Sequence, residues 1–209
     1  MFSLIVPWRT DHGPREEIWN WNKERWQELY DCEIVECDSG DEIFSRGKSR
    51  NQGVEQAKYS DLVIADSDTV ADEEALTELL CSGLTQQSWY IPYDEGRYYN
   101  LNEDATKELL KMNPGSVLRE PVKGEWEFKI TSWAGVLVLP RHAFCGYDPR
   151  FVGWGWEDNA FQLRMDQTFK PFERRSGYVM HMWHPRDGAD FGDKCELKNR
   201  QLFNREYRR

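Results

Sequence analysis

The 209-residue chain carries 27 Lys and Arg against 37 Asp and Glu, a net charge of −10, and has no basic stripe to release counterions, which excludes a nucleic-acid backbone as the expected partner. Five cysteines, at 32, 37, 81, 145 and 195, form an odd set without a Cys-x-x-Cys pair, which argues against a disulfide scaffold and for a reducing compartment. The apolar start FSLIV is stopped by Pro7, too short for a signal segment or a membrane span, so a cytoplasmic protein is expected.

In chain order, FSLIV at 2–6 reads as a buried parallel strand. Helical spacing of Trp19, Trp26 and Leu29/Tyr30 predicts a helix over 16–30 with those residues facing the core. EIVEC at 33–37 is a second strand, ended by DSGD; a helix is expected at 48–58 and a third strand, DLVIA, at 61–65. This β-α-β-α-β alternation predicts an α/β protein with a mostly parallel, Rossmann-like central sheet flanked by helices. DEEALTELLCSG follows, with an acidic first turn and a late glycine marking a helix. SWYIP is a strand, 103–112 a short helix, and 113–129 a loop rich in Pro and Gly. GVLVLP at 135–140 is a strand, 158–169 a helix, GYVMHMW at 177–183 a last strand, and the charged tail from Lys194 a helix. The length fits one domain. Ten Trp, nine Tyr and ten Phe suit either an aromatic core or a sugar or nucleotide site, since ring faces stack on both ligands.

Four constellations carry candidate chemistry. Asp66-Ser67-Asp68 directly follows the strand LVIA, and ligands of parallel sheets bind at strand carboxyl ends. Paired carboxylates there suit a hard cation shared with a phosphate, or else an Asp-rich turn capping the next helix. HMWHP at 181–185 holds two of four histidines; His181 and His184 point to opposite faces unless the chain turns, as Pro185 suggests. Carboxylate plus imidazole suits Mn²⁺, while a hydrogen-bonded histidine pair is the plain alternative. Arg9 follows the first strand, and Arg46, Lys48 and Arg50 lie ahead of a helix, where guanidinium groups and terminal amides suit a diphosphate. A solvated charge run is the other reading. In FVGWGWEDNAF at 151–161, Gly153 and Gly155 permit a sharp bend or movement, and Glu157 and Asp158 open a helix. A carboxylate there suits a general base on a sugar hydroxyl, or an ordinary helix start.

Together and in this order, the blocks resemble a GT-A-fold glycosyltransferase of the β1,4-galactosyltransferase type. VPWR at 6–9 is similar to the family's Pro-plus-Arg loop, FSRGKSRNQG at 44–53 to its Phe-x-Arg-x-Lys-x-x-Asn-x-Gly block, and ADSDT at 65–69 to its metal-binding Asp-x-Asp. GWGWEDNAF at 153–161 is similar to its Gly-Trp-Gly-x-Glu-Asp segment, and HMWHPRD at 181–187 to a Met-x-x-His-x-x-Asp ending. The blocks spread over nearly the whole chain.

The resemblance implies a single transferase domain over 1–209, with a nucleotide-binding half at 1–70 and an acceptor-binding and catalytic half at 71–209. It implies that Pro7, Arg9, Phe44 and Arg46 hold the nucleotide of a UDP-sugar, with Asp38 on the uracil or ribose and Asp66 near ribose or metal. Asp68 and His184 would bind Mn²⁺, Trp154 would lie near the donor phosphate and the acceptor sugar, Asp158 would be the base, and Glu157 would bond sugar hydroxyls. A hexosyl transfer to a carbohydrate or glycosylated acceptor, with inversion, is implied. A retaining relative has Glu-Asn where this chain has Glu157-Asp158. Two positions depart from the family. His181 replaces its methionine, adding an imidazole that could ligate the metal and favour Mg²⁺, and Trp156 stands where a second loop glycine is usual. The family's secretory members carry an anchor and stem, so a phage or bacterial member is expected. The alternatives are a retaining transferase and a non-catalytic carbohydrate-binding module on the same fold.

Overall fold

The first apolar run forms β1 (Phe2–Pro7), buried along its whole length as a central strand requires. The structure, a computed structural model, describes residues 1–122, 134–185 and 193–208. After β1 come α1 (Pro14–Leu29), β2 (Cys32–Cys37), α2 (Arg46–Gln56) and β3 (Asp61–Ala65). Pro14 suits the first turn of α1, where its missing N–H is no loss, and Glu16 and Glu17 face the positive end of the helix dipole. Trp19 and Trp26 are buried as their spacing predicts, while Tyr30 packs half-buried on the same core. On α2, a Cβ at Gly53 would stand 2.4 Å from Ile5 Cγ2 and 2.8 Å from Cys37 Sγ, so glycine is what lets this helix lie on β1 and β2.

The chain continues through β4 (Thr69–Ala71), α3 (Glu73–Cys81), β5 (Tyr90–Ile91), β6 (Tyr98–Asn100), α4 (Glu103–Leu110), β7 (Val136–Pro140), α5 (Glu157–Thr168), β8 (Glu173–Arg174), β9 (Val179–His181) and α6 (Asp193–Glu206). The central sheet has the order β2-β1-β3-β7-β5-β8. β1 pairs in parallel with β2 and β3, and β5 with β8, while β7 runs against both of its neighbours. The mostly parallel expectation therefore holds by strand direction, with β7 the exception. Residues 1–70 supply β1–β3 and the remainder supplies β5, β7 and β8, so both halves share one sheet.

The strand expected at 177–183 is shorter and belongs to a second sheet, β4-β9-β6. Alternation along it is strict: Tyr178, Met180 and Met182 enter one apolar cluster, whereas Val179 enters the main core. By the same period His181 shares the face of Val179, at the strand's end beside Tyr98. Helices expected at 16–30, 48–58 and 158–169 start one or two residues earlier than predicted. Of the loop expected at 113–129, residues 123–129 lie outside the described residues, as do Arg186 and Asp187. Among the described residues no helix is long and apolar enough to cross a membrane.

A buried ion pair joins α1 to α3. Arg25 on α1 meets Glu73 on α3, and both are almost wholly buried. Arg25 Nη1 also donates to the carbonyls of Pro114 and Ser116, each at 2.7 Å, and Leu118 N donates to Glu73 Oε1 at 3.3 Å. Removing one partner strands the other charge away from water. Glu73→Gln is therefore expected to destabilise the fold by about 3 kcal/mol, read as a lower urea midpoint at unchanged slope. A loss below about 1 kcal/mol would mean that the carbonyls alone satisfy Arg25.

Candidate active site

Three parallel strands end at one edge, and each is followed by a polar residue singled out in the sequence: Arg9 after β1, Asp38 after β2 and Asp66 after β3. Arg9 grips Asp38 with two nitrogens, Nε at 2.8 Å and Nη2 at 2.5 Å, and its guanidinium lies 5.2 Å from the Phe44 ring centre. That pairing holds the Asp38 carboxyl below its ordinary range, with the Gly40 amide assisting. Arg9, Asp38 and Phe44 thus form one group, while Pro7 is buried as the last residue of β1.

Beyond β3 the chain turns at once. Thr69 N and Oγ1 both donate to Asp66 O, which closes the Asp66–Thr69 turn and leads into β4. β4 pairs with β9 in the register Thr69↔His181, so the strand pairing itself sets His181 beside Asp68. Met182 N then donates to Asp68 O at 2.8 Å, and His184 reaches the same carboxylate. His184 Nε2 lies 3.1 Å and His181 Nε2 3.6 Å from Asp68 Oδ2, and one donor atom from each residue falls within 4.8 Å of the others. The two histidines, expected on opposite faces unless the chain turned, thus meet at one carboxylate.

Three observations fit this triad to a divalent cation. Asp68 is buried, yet its Oδ1 has no hydrogen-bond partner among the described residues. His184 Nδ1 sits 2.9 Å from Pro185 O; as the donor there it leaves the Nε2 lone pair facing Asp68, an arrangement usual for metal histidines. Tyr98 stacks on His181 at 6.2 Å and 28°, fixing that ring as well. Burial opposes ionisation of Asp68, but the two histidines outweigh it and hold the carboxyl well below its usual range. Burial likewise opposes the charge on His184, and the Asp68 contact still raises it.

The segment 151–159 forms the other wall. Gly153, Gly155 and Trp156 all take positive φ, at 71°, 100° and 72°. The glycines adopt this freely, whereas Trp156 carries a strain of roughly 1–2 kcal/mol. Its indole explains why it is tolerated: it packs 4.9 Å from Phe203 and donates to Glu196 Oε1 at 3.2 Å, both on α6. From the same helix, buried Asn199 donates to the carbonyls of Val152 and Trp154 and accepts from Val152 N. The sharp bend expected from the glycines is present, and α6 pins it.

That bend starts α5 with Glu157 and Asp158. Glu157 is 3% exposed. Burial and the adjacent Asp158 push its carboxyl up to about 7 against the pull of Arg46 and Arg50. Arg46 Nη1 stands 3.9 Å from Glu157 Oε1. Arg50 is buried and reaches two carboxylates, Asp158 Oδ1 at 2.6 Å and Asp66 Oδ1 at 2.7 Å. The basic block thus lies within α2 rather than ahead of it. Lys48 Nζ pairs with Asp41 at 2.9 Å and Arg50 is enclosed, while Arg46 stays partly exposed beside Glu157. A cleft of about 330 Å³ opens beside this group, lined by Trp154, Trp156, Glu157, Asp158, Asn159 and Glu196. Trp154, at its rim, is 38% exposed.

Tyr98, Tyr147 and Asn199 contribute to the site without any motif to announce them. Each is a lone residue whose part depends on which element it meets.

No family model matches the chain, and no curated protein matches it in sequence. Solved structures do share its fold. A Drosophila β1,4-galactosyltransferase 7, an Asp-to-Asn mutant in complex with manganese, UDP-Gal and xylobiose, superposes with a TM-score of 0.56 at 17% identity, over 88% of this chain and 71% of that one. Staphylococcus aureus TarS gives 0.52 at 14% identity over 87% of this chain, which spans 60% of the TarS chain compared. Mycobacterium tuberculosis glucosyl-3-phosphoglycerate synthase, with Mn²⁺, UDP-glucose and phosphoglyceric acid, gives 0.52 at 13% identity over 98% of this chain and 79% of that one. The fold is the GT-A fold of these glycosyltransferases.

Proposed function

We propose that this chain is a metal-dependent glycosyltransferase that moves a sugar from a UDP-sugar to an acceptor hydroxyl with inversion, Asp158 acting as general base. One observation carries the reading. The Asp66–Asp68 turn, the histidine pair and the Glu157–Asp158 pair come from three distant stretches, and Arg50 bonds the first to the last. UDP-sugars and manganese in the neighbouring structures support the donor and the metal.

In this reading residues 1–70 serve the nucleotide and 71–209 the acceptor and the chemistry. Arg9, Asp38, Phe44 and Arg46 contact the nucleotide, Pro7 shapes the loop beneath it, and Asp66 lies by the ribose. Asp68, His184 and His181 hold Mn²⁺, or Mg²⁺, which when bound neutralises charge on the departing diphosphate. Each carboxylate on Arg50 uses only Oδ1, so Asp158 keeps Oδ2 without a hydrogen-bond partner among the described residues. That oxygen takes the proton of the acceptor hydroxyl. The acceptor oxygen bonds to the anomeric carbon, and the bond to the diphosphate oxygen breaks with its electron pair leaving on UDP. Attack from the face opposite UDP inverts the centre. Glu157, near its midpoint at neutral pH, can bond sugar hydroxyls as donor or acceptor. Trp154 offers its exposed face to the acceptor, a carbohydrate or glycosylated molecule. Five unpaired thiols support a cytoplasmic site of action.

The test is thermal unfolding with UDP, with and without Mn²⁺, followed by UDP release from UDP-Gal, UDP-Glc, UDP-GlcNAc and UDP-GalNAc. Stabilisation by UDP that requires Mn²⁺, and turnover of at least one donor, are expected. No shift with any nucleoside diphosphate favours the non-catalytic module, and a product that retains the donor's anomeric configuration removes the direct displacement.

A further inference from the structure

Arg50 sits where a donor-binding cation would be sought, yet its surroundings fit another task. Arg50 is 2% exposed, and each terminal nitrogen is committed to a different carboxylate. An arginine fork commonly grips one carboxylate with both nitrogens. Here the fork is split between Asp66, at the end of β3, and Asp158, in the first turn of α5. It therefore sets the separation of two side chains that come from opposite sides of the site.

The platform beneath Arg50 is built as firmly. Its Cζ lies 4.9 Å from the Tyr147 ring centre, and Tyr147 stacks on Phe161 at 4.1 Å and 7°. Asn51, the next residue of α2, accepts from Tyr147 N at 2.7 Å and donates to Tyr147 O at 2.9 Å. A Cβ at Gly47 would stand 3.0 Å from Tyr147 Cβ, so α2 and Tyr147 are in close contact along this turn. Glu157 and Arg46 complete the charged surroundings. Without a cation at the centre, Asp66, Glu157 and Asp158 would be three acidic groups repelling one another in a poorly solvated site.

The geometry points to Arg50 as a positioning residue for the transfer step: it clamps Asp158 to the Asp66 turn, so that the base is held in register with the donor site. This rests on the reading of Asp158 as base. With Oδ1 fixed on Arg50, Oδ2 is the oxygen turned to the acceptor. When Asp158 takes the proton and loses its charge, Asp66 still accompanies the buried guanidinium. Arg50 touches neither sugar nor phosphate in this role, and its effect reaches the reaction through Asp158.

The test compares Arg50→Met, Arg50→Lys, Asp158→Asn and the double variant Arg50→Met/Asp158→Asn, using Mn²⁺-dependent UDP release from the best donor of the four UDP-sugars. Arg50→Met is expected to lower kcat about 100-fold, within the range of general-base effects, with the donor KM changed less than about threefold. Arg50→Lys keeps a charge but reaches one carboxylate at a time, so a partial rescue to about a tenfold loss is expected. The double variant should be no slower than Asp158→Asn, because both act through one group. UDP–Mn²⁺ thermal stabilisation, retained in the Lys variant, shows that the site is folded. Parent kcat in Arg50→Lys overturns the positioning role, and so does a double variant whose losses multiply. Unimpaired turnover in Asp158→Asn removes the base instead, and any loss in Arg50→Met would then belong to Asp66, which also overturns the clamp. No UDP release from any donor by the parent protein overturns both readings.

Discussion

Asp158→Asn is expected to lower kcat about 1,000-fold while leaving UDP–Mn²⁺ binding within about twofold of the parent, as removal of a general base should. Asparagine keeps the size of the side chain, and its Oδ1 can still accept the 2.6 Å bond from Arg50 Nη1. What it lacks is a second oxygen able to take a proton. Binding should survive because the Asp68–His181–His184 group and the Arg9–Asp38–Phe44 group share no bond with Asp158. Glu157→Gln should be milder, since burial and Asp158 already hold that carboxyl at about 7, protonated for much of its time near neutrality. UDP release at saturating donor, beside a UDP titration, separates the two effects. Turnover of Asp158→Asn at more than about a tenth of the parent rate would leave Asp158 no part as base.

Most of the frame was legible because it rests on local rules. β1, α1, β2, α2 and β3 stand within two residues of where apolar runs and helical spacing put them. The strands that went unread, β4, β6 and β8, have two or three residues each, too few for any period to register. The antiparallel course of β7 was also hidden, since strand direction depends on the path taken between strands and not on the strand's own residues. In the site, the separation of legible from illegible follows the same line. Asp66, Asp68, His181, His184, Glu157 and Asp158 stand in short motifs that single them out as candidates. Arg50 was visible as a cation, but its burial between two carboxylates depends on α2, β3 and α5 meeting, which no single segment encodes. Trp156 is the reverse case. In the sequence it stood out only as a departure from a glycine pattern, and its reason is α6, some 40 residues later, where Phe203 and Glu196 hold its indole.

The proposed metal triad is where a single side-chain removal should have its clearest thermodynamic effect. A ligand present at 100 times its Kd stabilises the native state by about 2.7 kcal/mol, which for a chain of this size raises Tm by roughly 5–10 °C. Mn²⁺ at that concentration should do so for the parent protein and not at all for Asp68→Ala, which removes the carboxylate that both histidines face. His181→Ala separates two roles for the residue that departs from the family pattern. If His181 is a ligand, affinity falls at least about tenfold, and the stabilisation at the same Mn²⁺ concentration drops to about 1.4 kcal/mol or less. If its imidazole only stacks on Tyr98 at 6.2 Å, the full shift remains. The 3.6 Å approach of His181 Nε2 to Asp68 Oδ2, set by the Thr69↔His181 pairing of β4 with β9, favours the ligand. A backbone register places that imidazole, so it is present at the site before any ion arrives. The shift measured for His181→Ala against that for Asp68→Ala then decides how many protein ligands the ion has.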